Sequence, residues 1–406
     1  MDSEPPFQEF YNSLLQEKEI KFTAVDEAVG EYKIPVIDLN RLNGSNEADK
    51  EECKREIARA SIEWGFFQIV NHGIPQEVWQ RMQLEQVNLF RQSFEKKAGK
   101  GKGENLPGLS GNSYRWGTPT AKCLKQFSWS EAFHISLTDV FTSGQPNSFS
   151  GGRIYSVRCL TIAEFAAIVS SLAHLIAEIL AENLGLKSLF FKENCLPNTS
   201  YLRMNRYPPC PLPGKVFGLT PHTDTDFLTI VYQDQVGGLQ LVKDGRWVTV
   251  KPNPEALIIN IGDLFQAWSN DVYMSVKHRV MTNGQVERFS VAYFLCPSYD
   301  TMIQSDKEPQ VYRKFSYREY KEQVQEDVRI TGGKHKQKQI QDFHASLITL
   351  ELVRIWDEII IEMLKRYELL DSNENLKDWV EQGTRFQCLM KTLDITNYYR
   401  YSKDKR

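Results

Sequence analysis

The chain has 406 residues, a formal net charge of −3, and 41% hydrophobic and 25% charged residues. That length supplies ample core for one large domain or two smaller ones. The slight excess of acid argues against a nucleic-acid partner, and the start, Met1-Asp2-Ser3-Glu4-Pro5-Pro6, lacks an apolar signal core. Seven cysteines are scattered without Cys-x-x-Cys pairs. An odd count with no secretory signal reads as reduced thiols and a cytoplasmic protein. No run of roughly 18 apolar residues is found, so no membrane span is expected.

Along the chain, Tyr32-Lys33-Ile34-Pro35-Val36-Ile37-Asp38-Leu39 reads as an opening strand. Residues 46–64 are charged and helical and lead into a strand at Gly65-Phe66-Phe67-Gln68-Ile69-Val70. His72 follows at a Gly/Pro turn, which suits a structural histidine. Residues 76–95 read as an amphipathic helix with Val78, Met82, Val87 and Phe90 inward, and 96–110, rich in Gly and Lys, as a loop. His134 and His174 sit in apolar contexts and are expected to be packed rather than ligating. The strongest helix is 162–185, where Ile162, Phe165, Val169, Leu172, Ile176 and Leu180 recur at helical spacing before Gly185, a C-cap residue. Short strands separated by turns then fill about 200–296.

Chemistry concentrates in that second half. His222-Thr223-Asp224 is followed by His278 and, ten positions later, by Arg288-Phe289-Ser290. Two imidazoles and a carboxylate on one face of a metal leave the other face open, the arrangement of non-haem Fe(II) oxygenases. Phe227-Leu228-Thr229-Ile230-Val231-Tyr232 is β-rich, and on a strand His222 and Asp224 would project to one side. A lone His-x-Asp is usually a surface pair or a cap; His278 and Arg-x-Ser in register reverse those odds. Arg288 and Ser290 share a face of a second strand, 288–295, and an arginine near iron needs an anion. A guanidinium fork matches the distal carboxylate of 2-oxoglutarate. Asn205 and Tyr207 share a face of a further β-rich run.

These residues resemble the plant 2-oxoglutarate- and Fe(II)-dependent dioxygenases. Longer stretches are similar to gibberellin 2-oxidases of the C20 type: Leu202 to Cys210, Gly218 to Leu228, Tyr232 to Leu241, Asn260 to Asn270 and Gly111 to Gly117. The resemblance covers roughly residues 7 to 333. It implies a mainly β fold with flanking helices, a double-stranded β-helix (jelly roll) core. It implies His222, Asp224 and His278 as iron ligands, Arg288 and Ser290 as the 2-oxoglutarate clamp, and Asn205 and Tyr207 as further cosubstrate contacts. The implied cofactors are Fe(II), 2-oxoglutarate and O2, with ascorbate supporting activity. The implied reaction is 2β-hydroxylation of a C20 gibberellin; another plant metabolite, a flavonoid or an alkaloid, is the nearest alternative. A gibberellin is a rigid apolar acid, so its pocket should be apolar with one cationic anchor. Arg115, between Tyr114 and Trp116, is the candidate, with structural stacking on those rings the alternative.

Two segments depart from the family pattern. Residues 151–159 form an insertion in a Gly/Ser loop, either tolerated there or retained intron sequence. Beyond Gly332-Gly333 the chain runs on for about seventy residues, including His335 and His344, which read as solvated. There Leu352, Ile355, Trp356, Ile359, Met363 and Tyr367 share one helical stripe, which needs a cover. That cover is a protein partner or the chain's own domain, or the segment comes from fused or mis-joined coding sequence. With such a tail the chain could also be a weakly active interaction module. The expected divisions are 1–160 as an N-terminal α/β region, 161–333 as the catalytic core, and 334–406 as a helical C-terminal extension.

Overall fold

A computed structural model describes residues 3–12, 30–99, 113–138, 140, 157–186, 189–196, 199–331 and 343. The insertion up to residue 156, the loop from 100 and the apolar stripe at 352–367 lie outside the described residues, as do His335 and His344. In chain order the first half carries α1 (Phe7–Phe10), β1 (Glu31–Tyr32), β2 (Val36–Asp38), α2 (Glu47–Glu63), β3 (Phe66–Val70), α3 (Gln76–Phe90), α4 (Phe94–Lys97), β4 (Tyr114–Trp116) and β5 (Glu131–Ser136). Next come α5 (Val157–Asn183), α6 (Leu189–Asn194), β6 (Tyr201–Tyr207), β7 (Phe217–His222), β8 (Leu228–Gln233), β9 (Leu239–Lys243), β10 (Arg246–Val250) and β11 (Leu257–Ile261). The described order closes with α7 (Asp263–Trp268), β12 (His278–Met281), β13 (Arg288–Leu295), β14 (Met302–Ile303), β15 (Phe315–Ser316) and α8 (Tyr317–Thr331).

Local chemistry explains most of these boundaries. Asn46 caps α2, its side-chain oxygen accepting from the N–H groups of Ala48 and Asp49. The expected single strand 32–39 is two, because Pro35 cannot donate to a ladder and Leu39 enters a 3-10 turn. The expected helix 76–95 likewise breaks after Phe90 and resumes as α4. Gly65 holds φ +61°, and a side-chain carbon there would stand 2.1 Å from the Met274 carbonyl, so only glycine fits between α2 and β3. Gly185 ends α5 at φ +70°, with Leu186 N–H returning to the Ala181 carbonyl.

The strands form a five-stranded sheet, β1-β10-β9-β12-β7, and an eight-stranded sheet, β2-β3-β11-β8-β13-β6-β5-β4. This is the jelly roll, with strands from 31 to 136 built into the same two sheets as those after 200. Residues Met1–His344 accordingly form one compact unit, with Ala345–Arg406 outside it. Phe66, Leu239, Leu241, Val248, Ile258 and Val280, from strands of both sheets, make an apolar cluster with Ile34 from the link between β1 and β2. The larger core joins α2, α3 and α5 to the eight-stranded sheet: Tyr293 of β13 donates to Ser170 of α5, and Val291 and Leu295 share that cluster. On β13 the alternate residues Arg288, Ser290, Ala292 and Phe294 line a cavity, which is strand alternation working as expected.

Leu160–Asn183 is long and apolar enough to cross a membrane, yet half of it is buried against this fold. It behaves as a core helix, and His174 is satisfied within it by the Ser170 and Cys195 carbonyls. The described cysteines, Cys53, Cys123, Cys195, Cys210 and Cys296, are free thiols.

A buried ion network ties the N-terminal strands to β6. Glu131 is fully buried and accepts from Lys97 and Tyr114 at 2.5 Å each and from Arg206 at 2.7 Å. Removing that carboxylate leaves the buried Lys97 ammonium without its counter-ion, while Arg206 keeps Glu4 and Glu287. Glu131→Ala is therefore expected to cost about 3–5 kcal/mol, read as a lowered denaturant midpoint with an unchanged slope.

Candidate active site

β7 and β12 are antiparallel neighbours, and His222 and His278 are direct register partners across them. Their rings stand 4.2 Å apart, and the ligand atoms of His222, Asp224 and His278 all lie within 4.8 Å of one another. Each imidazole is aimed by its own backbone. His222 Nδ1 bonds to the Thr220 carbonyl at 2.7 Å, and His278 Nδ1 to the Val276 carbonyl at 3.0 Å. A carbonyl can only accept, so Nδ1 carries the proton and Nε2 offers its lone pair inward. Both Nε2 atoms face Asp224 Oδ1, at 3.6 and 3.8 Å.

Asp224 is not placed by strand alternation, contrary to the expectation that it shares a strand face with His222. β7 stops at His222, and Asp224 lies in the turn that follows. Side-chain donors aim it instead: Thr229 Oγ1 at 2.7 Å and Asn260 Nδ2 at 2.5 Å both bond to Oδ2. That leaves Oδ1 as the atom facing the imidazoles. Asp263 braces the same turn from behind. Its Oδ2 accepts from Thr223 at 3.0 Å and Tyr320 at 2.6 Å, and its Oδ1 from Ser275 at 2.6 Å. Sequence reading missed Thr229, Asn260 and Asp263; a polar residue inside an apolar strand, as in Leu257-Ile258-Ile259-Asn260-Ile261, was the available signal.

Arg288 and Ser290 lie on β13 as expected and pair directly with Tyr207 and Asn205 of β6. The Arg288 guanidinium lies 4.9 Å from the Tyr207 ring centre and donates one bond, to Gln233 Oε1 at 2.8 Å. Tyr207 is seated against Gly218, where a side-chain carbon would come within 2.7 Å of the ring. Arg288 is 3% exposed, and its Nε and Nη1 have no partner. A buried unpaired donor costs about 1–3 kcal/mol, more when charged, so this site is built for an anion. A carboxylate taking Nε and Nη1 together, with the Ser290 hydroxyl beside them, fits the donor set. Gln233 is the further residue that sequence reading left out.

Both groups open on one cavity of about 450 Å³. Its remaining wall carries Tyr201, Arg203 and His134 from β6 and β5, and Val324 and Val328 from α8. His134 is thus a cavity residue rather than a purely packed one. Burial first, then Arg203, Arg115 and Lys321, push its pKa down to about 3, so the ring is neutral. His72 does serve its turn, accepting from Ile74 N–H at 3.2 Å. Arg115 is exposed on β4, donates to the Tyr114 carbonyl at 2.9 Å, and is not among the residues lining the cavity.

Comparison with known proteins agrees with this geometry. Residues 198–297 match the 2OG-Fe(II) oxygenase superfamily, and 34–149 match the non-haem dioxygenase in morphine synthesis N-terminal family. Gibberellin 2-beta-dioxygenase 8 of Arabidopsis thaliana is 54% identical over 341 residues, covering 82% of this chain and 96% of that protein. Gibberellin 2-beta-dioxygenase 5 of rice (Oryza sativa subsp. japonica) is 47% identical, covering 82% and 95%. Among solved structures, JOX2 in complex with 2OG, Fe and JA superposes with a TM-score of 0.63 at 29% identity, covering 84% of this chain and 99% of JOX2. The dioxygenase for auxin oxidation in rice gives 0.60 at 27%, covering 77% and 100%. Residues 312–406 match a different family, the Enhanced disease susceptibility 1 protein EP domain.

The donors behind Asp224 generate a prediction. Residues that orient a metal ligand typically govern 10- to 100-fold in affinity. Asn260→Ala should weaken metal binding by about that factor, measured by titrating Mn(II) into the purified protein, with its thermal midpoint as the folding control.

Proposed function

Since the chain belongs to the gibberellin 2-beta-dioxygenase family of the 2OG-Fe(II) oxygenases, we propose that it hydroxylates C20 gibberellins at the 2β position, a step of gibberellin catabolism. Fe(II) and 2-oxoglutarate are its cofactor and cosubstrate, with O2. One observation carries the reading: a His-Asp-His cluster and a buried arginine with two unpaired N–H groups open on the same cavity.

His222, Asp224 and His278 would hold the metal, and Arg288 with Ser290 the distal carboxylate of 2-oxoglutarate. Asn205 and Tyr207 flank that carboxylate on the neighbouring strand. Bound iron, with 2-oxoglutarate and O2, supplies the oxidising power to turn an unactivated C–H into an alcohol, releasing succinate and CO2. The chain's own residues position and shield. The Nδ1 bonds fix both imidazoles before anything binds, so the ligand set is preorganised rather than assembled. Thr229 and Asn260 hold one carboxylate oxygen and leave the other to the metal. The apolar wall, Val231, Leu239, Phe294, Val324 and Val328, accommodates a rigid hydrocarbon skeleton and excludes water. The free thiols favour a reducing, cytoplasmic setting; a fluorescent fusion confined to an organelle would count against that.

The reading is tested by incubating the purified enzyme with C19 and C20 gibberellins, Fe(II), ascorbate and 2-oxoglutarate. A product one oxygen heavier from C20 substrates is expected by mass spectrometry, and no product from any gibberellin would refute it. Asp224→Ala should abolish turnover. Arg288→Met removes at least two charged hydrogen bonds and should weaken 2-oxoglutarate binding about 100-fold or more, while a variant binding it normally would remove Arg288 from this role.

A further inference from the structure

A second arginine faces the cavity, and the cosubstrate reading does not use it. Arg203 precedes Asn205 by two residues on β6, so both side chains fall on the cavity face. Across the ladder it pairs with Ala292 of β13 on one side and His134 of β5 on the other. Arg288 pairs with Tyr207, four residues along the same strand, which separates the two rungs by about 13 Å. The Asn205–Ser290 rung lies between them.

The surroundings of Arg203 are incomplete in one respect only. Its Nε is buried with no hydrogen-bond partner, although the residue as a whole is only partly buried. The opposite rung offers Ala292, which brings no acceptor, and the next rung is the Tyr201–Phe294 stack, rings 4.5 Å apart and nearly parallel. His134 stacks on Tyr201 in turn. Val324 and Val328 of α8 line the cavity as well. A guanidinium whose Nε is buried without a partner in an apolar wall gains a hydrogen bond and a counter-ion when an anion arrives. Arg115 and Lys321 add positive potential at His134, and it stays neutral between them. This end of the cavity is therefore cationic over an apolar lining, the complement of a rigid hydrophobic acid.

Resting on the gibberellin reading above, we infer that Arg203 binds the carboxylate of the substrate and thereby orients its ring system over the His222-Asp224-His278 cluster. It is a substrate-binding residue separate from the cosubstrate clamp, and it takes the anchor role for which Arg115 was one candidate.

The test compares wild type, Arg203→Gln and Arg203→Lys on a C20 gibberellin as the free acid and as its methyl ester. For Arg203→Gln, the gibberellin KM should rise about 10-fold or more, with the 2-oxoglutarate KM and the thermal midpoint unchanged. Wild type should lose a similar factor on the methyl ester, whereas Arg203→Gln should no longer distinguish ester from acid. Arg203→Lys, which keeps the charge but not the fork, should recover part of the loss. An active wild type that handles acid and ester alike, or an Arg203→Gln variant with normal gibberellin KM, overturns the anchor alone. A wild type that hydroxylates no gibberellin overturns the functional reading and the anchor with it.

Discussion

The Asp263 carboxylate is the point on which the site depends. It is 2% exposed and accepts hydrogen bonds from Thr223, Ser275 and Tyr320. A buried carboxylate is tolerable only when such donors surround it, and each donor sits where it fixes something else. Thr223 separates His222 from Asp224, Ser275 lies three residues before His278, and Tyr320 belongs to α8, which walls the cavity. One satisfied charge therefore sets the spacing of both ligand strands and docks the helix beside them. Tyr320 also falls inside the segment that matches the EP domain family, so that match begins within chain already integrated with the site.

Two kinds of polar group line the cavity, and they differ in how they are satisfied. The metal-facing residues are held from behind: imidazole Nδ1 by backbone carbonyls, Asp224 by Thr229 and Asn260. Their inward atoms are left facing one another at the centre of the cluster. The arginines are the reverse case. Arg288 is anchored once, by Gln233, and keeps two donors free, while Arg203 keeps its Nε without any partner. Preorganised ligands and under-satisfied cations are what a site needs if it must take up a metal and anionic small molecules in water.

Much of this was legible in the sequence. The i, i+2 pairs Arg288/Ser290 and Asn205/Tyr207 follow from strand alternation alone, and their strands form with those faces inward. The helix at 162–185 is announced by its apolar repeat and its glycine, and α5 with Gly185 at positive φ realises it. Pro35 is legible too, and the opening strand divides around it into β1 and β2. Asp224 was identified for the right chemistry but the wrong geometry, because a period-2 argument cannot see where a strand ends. Arg203 carries no such signal: no local pattern tells an arginine with a buried, unpartnered Nε from a solvated one.

What the sequence by itself determined is the identity of the reactive groups, since residue type, short spacing and strand alternation are local properties. It could not determine which of those groups meet. His222 and His278 are 56 positions apart by number, and β-sheet register alone makes them neighbours. The same register puts Arg203 on the cavity wall and leaves Arg115, on an edge strand two places away, outside it. Burial is the deciding quantity, because the strength and the cost of a charge depend on how much water it keeps, and only the packed sheets and helices set that.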